Sequence, residues 1–591
     1  MAATSVTPRH FRWRVMTDYG DFSLQRIYRV YDRVAMIGLE CYVKGRLPQT
    51  EESAADAQAT GVENAQASTD QTLVFDHLSM PGRHWKLTTV RFQDVTDRNN
   101  TLVQTDEHLL YRSDLRLPGN LLFAQNMVSG GQIIWLKESP LGRHQLAYPG
   151  YDFRMQHDDW NMVGLGVEAD RDPEAWTRGY GGALGVAGNG EQERLTVLRS
   201  YLKQQRRHRP ERDEMIMMNT WGDRGQDGKL REAFALAELE AAHRLGITHF
   251  QLDDGWQAGL SKNSASASGE LWDAWPRESW QPHPERFPNG LQPVVDRADS
   301  LGMKLGLWFH PSNANDYAQW QQDAEVILGL HQRYGINYFK IDGIEIPTQR
   351  AVRNLRHLFD TVQQVSQGRV VFNLDATAGR RGGYFFFQEY GNVFLENRYT
   401  DWGNYYPYQT LRNLWMLARY VPSEDLQIEF LNKWRNQEQY PENDPFAPIN
   451  YSFDYLSATA MAGQPLAWFE ATNLPDDAFQ TASLVDTYRE HRADFHRGII
   501  LPVGDEPSGR SWTGFQSIGG PEEGYLLIFR EDSDQKQHDL ATWLEPNAQI
   551  MLTDLSSGEE QQVETGPDGA LSVELPQPNS FVFYQYRIIK P

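Results

Sequence analysis

A chain of 591 residues with 40% hydrophobic side chains is longer than one hydrophobic core can organise, which predicts two or three domains, one of them large. The formal charge of −23 is spread along the chain and argues against nucleic acid or an anionic membrane as partner. The single cysteine, Cys41, excludes an intramolecular disulfide framework and any cysteine-ligated zinc or iron–sulfur site.

The N-terminal stretch MAATSVTPRHFRWRVMTDYG has no apolar leader, and no segment reaches the roughly 20 apolar residues of a membrane span. The expected location is cytoplasmic if this terminus is native, and periplasmic or secreted if a leader has been removed. Residues 1–205 carry short alternating runs such as QTLVFDHL, WKLTTVRFQDV and GGQIIWLKE between Gly, Pro, Asn and Asp turns, the pattern of a β-sandwich. Within it, residues 49–71 are polar, Ala-rich and nearly free of large apolar side chains, and read as a loop. From 206 to 500 the rhythm changes. Eight short apolar runs alternate with helical stretches, at 215–221, 248–253, 303–309, 337–342, 369–374, 392–397, 426–431 and 465–470. Eight βα units predict a (β/α)₈ barrel. Residues 501–591 return to strands (GYLLIFRE, AQIMLTDLSS, SFVFYQYRI) and predict a second, smaller β-sandwich.

The fourth run of the barrel poses the functional question. In NYFKIDG, Lys340 and Asp342 interrupt Tyr338, Phe339 and Ile341. Buried charges are costly without partners, and positions two apart on a strand share a face. A (β/α)₈ barrel supplies the destination, because its active site lies at the C-terminal strand ends. The other runs bring polar and aromatic groups to the same rim: Asn219, Thr220 and Trp221; Asp253, Asp254 and Trp256; Trp308 and His310; Asp375 with Arg380 and Arg381; Glu396, Arg398 and Asp401; Trp468 and Glu470. A lone charged strand end is usually only solvated, and buried tryptophans are ordinary core. Convergence from six strands weakens that explanation. The 16 histidines show no HExxH spacing, so no metal or other cofactor is expected. A Schiff-base role for Lys340 requires a neutral amine, which an adjacent carboxylate disfavours. Carboxylates with aromatic walls suit glycosidic bond cleavage, in which one ionised carboxylate attacks and a second, protonated one assists the leaving oxygen.

The segments FQLDDGWQ, RFPNGLQPVVDRADSLGMKLGLWFHP and YFKIDG resemble the barrel of clan D glycoside hydrolases, most closely the α-galactosidases (melibiases) and raffinose synthase relatives of glycoside hydrolase family 36. The resemblance covers about residues 215–500 and implies a retaining α-glycosidase. It makes Asp342 the nucleophile and Lys340 a sugar-touching lysine. Asp253 and Asp254 become hydroxyl-binding acids, and Trp221, Trp256 and Trp308 aromatic walls. In RYTD it makes Asp401 the general acid beside Arg398, with Glu396 the competitor for that role. Two stretches depart from the family pattern: His310 stands where a glutamate is usual, and NLDATAGRRGG replaces a Cys- and Gly-rich motif, with Asp375 and Arg380 as substitutes. The expected partner is an oligosaccharide or glycoside. A transglycosylase of the raffinose synthase kind and a non-catalytic carbohydrate-binding barrel remain alternatives.

Overall fold

The computed structural model describes residues 10–47, 74–82, 84–93, 101–110, 114–168, 172–222, 226–266, 275–375, 382–395 and 405–589. The predicted loop at 49–71 lies outside the described residues, as do Arg380, Arg381, Glu396, Arg398 and Asp401.

The N-terminal part is built on an eight-stranded antiparallel sheet running from the edge strand His10–Asp18 through Phe22–Tyr31, Met36–Gly45, Thr177–Ala187, Gln132–Glu138, Leu121–Asn126 and Trp85–Phe92 to Val103–Leu109. Alternation along these strands makes two apolar faces. One face, carrying Leu39, Cys41, Val43, Leu87 and Trp135, packs on a four-stranded sheet that supplies Phe153, Met155 and Trp160. The other face, with Tyr31, Val90, Phe123 and Leu136, joins the core that runs through helix Glu191–Leu202 into the barrel. Both faces of the large sheet are therefore used, and the barrel rests on one of them.

Eight parallel strands close the barrel: β1 Met217–Asn219, β2 His249–Leu252, β3 Lys304–Phe309, β4 Tyr338–Ile341, β5 Val371–Leu374, β6 Gly391–Leu395, β7 Leu426–Phe430 and β8 Gln464–Ala467. Each of the eight predicted runs overlaps one of these strands; β6 and β8 begin one residue ahead of theirs. The strands are nearly continuously buried, as expected where helices cover the outside and side chains fill the inside. The predicted helical stretches after the first two runs contain helices Glu232–Arg244 and Gln292–Ser300. Met215, Met217, Tyr338, Val371, Phe394, Leu466 and Trp468 form a separate apolar cluster inside the barrel.

Beyond the barrel, strand Ile499–Gly504 opens a six-stranded antiparallel sheet accompanied by the pair Gln537–Leu540 and Leu571–Glu574. Arg199 bolts the parts together: fully buried, it donates to the Ile500 carbonyl at 2.9 Å and to Glu424 Oε2 at 3.1 Å. Burial alone would raise the Glu424 carboxyl, but Lys203 and Arg199 overrule it and hold the group down at about 2. Among the described residues, no helix is long and apolar enough to cross a membrane.

Candidate active site

Parallel pairing sets the levels of the barrel interior. Trp308 pairs with Lys340 and Lys340 with Asn373, so an indole, an ammonium and an amide stand side by side on β3, β4 and β5. Lys340 is 1% exposed, and its charge is met from two directions. Its Nζ donates to Asp253 Oδ2 at 3.0 Å, and lies 4.5 Å from the centre of the Phe394 ring and 5.6 Å from that of Trp468. A lysine in an apolar strand is thus explained by a carboxylate two strands away and by aromatic faces across the barrel.

Asp342, one residue beyond β4, is 8% exposed, with both oxygens engaged. Trp308 Nε1 donates to Oδ2 at 3.0 Å, and the Gly343 amide donates to Oδ1 at 2.6 Å. The glycine is required by the bend. Its φ is +63°, and a Cβ there would fall 2.0 Å from His310 Nε2. His310 is buried beneath this turn, its Nδ1 2.8 Å from the Pro311 carbonyl, so in that contact Nδ1 carries the proton. The residue standing in place of the family's glutamate is therefore part of the support of the Asp342 turn.

Asp253 and Asp254, just past β2, are buried but differently dressed. Asp253 Oδ2 accepts from Lys340 and, at 2.7 Å, from Asn219 Nδ2; its Oδ1 accepts from the Asp254 amide at 2.8 Å. Asp254 turns to its own loop, where Gln257 Nε2 donates at 2.7 Å and the Ser261 hydroxyl also bonds it. Burial pushes the Asp254 carboxyl up to about 7, helped by the Asp253 charge and opposed by Ser261 and Gln257. At neutral pH this group is partly protonated and able to donate.

The aromatic wall is deeper than the sequence indicated. Trp308 and the fully buried Trp256 are joined by a hydrogen bond from Trp256 Nε1 to the Trp308 carbonyl at 2.9 Å. Trp280 lies against both, at 5.8 and 6.2 Å between ring centres, and 4.2 Å from Phe309. Trp256 backs the wall rather than forming its surface, while Trp221, 9% exposed, belongs to the interior cluster with Trp468. Asp375 directly follows β5, fully buried, and Glu470 follows β8 in an ion pair with Lys229 at 3.0 Å.

Sequence reasoning missed three groups. Trp280 ends a single-turn 3₁₀ helix, Arg277–Trp280, too short for periodicity to flag it. Phe394 sits below the end of its strand, at the level of the Lys340 ammonium, and so escaped a reading of strand ends alone. Glu429 on β7 did leave a signal, since LQIEF alternates polar and apolar in a strand buried on both sides. Among the described residues, no group of three or more His, Cys, Asp or Glu side chains is arranged to hold a metal ion.

With this geometry in view, residues 185–336 match the melibiase family. The chain is 31% identical over 121 residues to the α-galactosidase of Escherichia coli, a match covering 19% of this chain and 15% of that one. It is 33% identical over 130 residues to α-galactosidase 2 of Pediococcus pentosaceus, covering 22% and 16%. These matches span about a sixth of the relatives' length. The solved glycoside hydrolase family 36 α-galactosidase AgaA of Geobacillus stearothermophilus superposes with a TM-score of 0.67 over 99% of this chain and 85% of that one, at 13% identity. The chain resembles melibiases in sequence over residues 185–336 and shares the fold of AgaA. The melibiase match takes in β1 to β3 and stops just before β4, so Asp253, Asp254 and Trp308 fall inside it and Asp342 just beyond.

Proposed function

We propose that this melibiase-like chain is a retaining α-glycosidase of the α-galactosidase type, removing a terminal α-linked sugar through a glycosyl-enzyme intermediate on Asp342. The observation that carries the reading is the double anchoring of Asp342 at the barrel mouth. Its two oxygens accept from the Trp308 indole and the Gly343 amide, which fixes the orientation of the carboxylate, as a positioned nucleophile requires. Structures of AgaA variants have been solved with raffinose and with stachyose, and the shared barrel supports a terminal α-galactoside as the class to test first.

In the proposed reaction an Asp342 oxygen forms a bond to the anomeric carbon while the bond from that carbon to the leaving oxygen breaks. The general acid gives its proton to the departing oxygen. Asp401 is the proposed acid, with Glu396 as competitor. A water then attacks the same carbon, the acid takes back a proton, and Asp342 leaves as carboxylate; two displacements retain configuration. Asp253, already an acceptor for Lys340 and Asn219, and the partly protonated Asp254 suit the two sides of hydroxyl recognition, one accepting and one donating. Trp308, 1% exposed, serves this site through its indole N–H, which holds the carboxylate in place.

The test is hydrolysis of aryl α-glycosides of several sugars by the wild-type protein and by Asp342→Asn. Turnover of an α-galactoside that disappears in Asp342→Asn supports the reading. Undiminished turnover in Asp342→Asn removes Asp342 from the covalent role, and no turnover of any α-glycoside overturns the proposal.

A further inference from the structure

The strongest unassigned feature of the barrel mouth is a buried amide. Asn219, the last residue of β1, is fully buried and makes four hydrogen bonds to three parts of the barrel. Its Oδ1 accepts from the Trp221 amide at 2.8 Å and from Trp468 Nε1 at 2.9 Å; its Nδ2 donates to Gln251 Oε1 at 2.8 Å and to Asp253 Oδ2 at 2.7 Å. The orientation of this amide is not a matter of choice. An indole N–H and a backbone N–H can only donate, so the carbonyl oxygen must face them and the NH₂ must face the carboxylate. The set is complete: two donors and one two-fold acceptor, all used.

We infer that Asn219 is a positioning residue for sugar recognition, holding the Asp253 carboxylate and the Trp468 indole in register with each other. The inference rests on the proposed glycosidase reading and adds to it a residue that contacts neither the reacting carbon nor the nucleophile. Asp253 is held from three sides, by Asn219, by Lys340 and by the Asp254 amide. All three are donors, so of about four acceptor directions on a carboxylate roughly one is left for a sugar hydroxyl. Asn219 hydrogen-bonds both this carboxylate and the Trp468 indole, whose ring centre lies 5.6 Å from the Lys340 ammonium. Removing the amide frees the carboxylate to turn about the remaining donors and takes the Asn219 oxygen away from the Trp468 N–H. The charge of Lys340 stays in place. The expected loss is therefore in sugar binding and orientation rather than in the covalent step.

An aspartate at this position gives a sharper readout. Asn219→Asp puts a carboxylate oxygen where Nδ2 now lies 2.7 Å from Asp253 Oδ2. Two carboxylates at that distance cannot both ionise freely, and a shared proton restores the hydrogen bond. The variant should bind sugar in acid and lose it as pH rises, whereas a purely structural lesion weakens binding alike at every pH.

The experiment measures galactose binding by calorimetry from pH 5 to pH 8 for the wild-type protein, Asn219→Ala and Asn219→Asp, with kcat and KM for an aryl α-galactoside alongside. Asn219→Ala should bind about 10- to 100-fold more weakly at every pH, with KM rising more than kcat falls. Asn219→Asp should approach wild-type binding at pH 5 and fall below Asn219→Ala at pH 8. If either variant fails to fold, Trp468→Phe, which cuts the other end of the network, should weaken binding in the same pH-independent way. Wild-type binding with less than a threefold change in Asn219→Ala, or the same pH dependence in Asn219→Asp as in the wild type, overturns the assignment alone. Absence of binding and turnover in the wild-type protein overturns the proposed function and this assignment with it.

Discussion

Replacing Lys340 by methionine removes the ammonium that reaches Asp253 Oδ2 at 3.0 Å, with the two side chains 1% and 3% exposed. A buried charge that loses its partner typically costs about 3–5 kcal/mol. Asp253→Asn leaves the converse problem, an ammonium facing Phe394 and Trp468 with a neutral amide where the Asp253 carboxylate stood. The double variant removes both charges, and a neutral pair of similar volume costs far less than either orphan. The coupling energy should therefore be at least about 2 kcal/mol in the favourable direction. With an unfolding entropy of roughly 2.1 cal/mol/K per residue, a chain of 591 residues loses about 3 °C in Tm for 4 kcal/mol, and about twice that if the barrel melts alone. Calorimetric melts of the wild type, both single variants and the double variant close the cycle. Single-variant losses that add to within about 0.5 kcal/mol in the double variant would refute the view that this lysine is in the strand to pair with Asp253.

Three further outcomes are expected. Burial pushes the Asp323 carboxyl from 3.8 up to about 7, with the Ser312 amide its hydrogen-bond donor at 3.0 Å. A raised carboxylate favours the fold while protonated, so its contribution is complete below about pH 4 and lost as pH rises through about 7, up to roughly 4 kcal/mol. Asp323→Asn should flatten the fall in Tm between pH 5 and pH 8, shrinking rather than abolishing it because Asp254, at about 7, and Glu531, at about 6, act in the same direction; an unchanged slope removes Asp323 from the account. Gly343→Ala should lower both Tm and turnover, because φ is +63° and the added methyl meets His310, and His310→Ala should recover part of the Tm. Asp401→Ala should spare aryl glycosides with good leaving groups while slowing poor ones by about 10² to 10⁴; the same pattern in Glu396→Ala instead transfers the acid role.

The barrel was legible because its signal is repetitive. Eight apolar runs, each too short to be a helix, recur between amphipathic stretches, and the polar residues that break the pattern fall at the end that faces the site. Lys340 and Asp342 could be placed on one face from strand geometry alone. Their partners could not, because pairing depends on register between strands: Lys340 meets Asp253 of β2 and the rings of β6 and β8, while Asp342 takes the indole of β3. Asn219 was visible only as a strand-end polar residue; its role appears when β2 and β8 are brought to either side of it. Trp256 illustrates the opposite case. Its motif marks it as part of the wall, yet the fold puts Trp308 and Trp280 around it and buries it completely. Hydrogen-bond partners rather than burial separate Asp253 from Asp254, neighbours in sequence whose carboxylates have different donors.

The most direct test of the account is to trap the glycosyl-enzyme. An activated fluorinated α-galactosyl substrate, slow to be released, is incubated with the wild-type protein, which is then digested and mapped by mass spectrometry. The account predicts one sugar per chain, ester-linked to Asp342 in the peptide that contains Tyr338–Ile341. A sugar on any other carboxylate, or rapid turnover with no covalent adduct and inverted product, would contradict it.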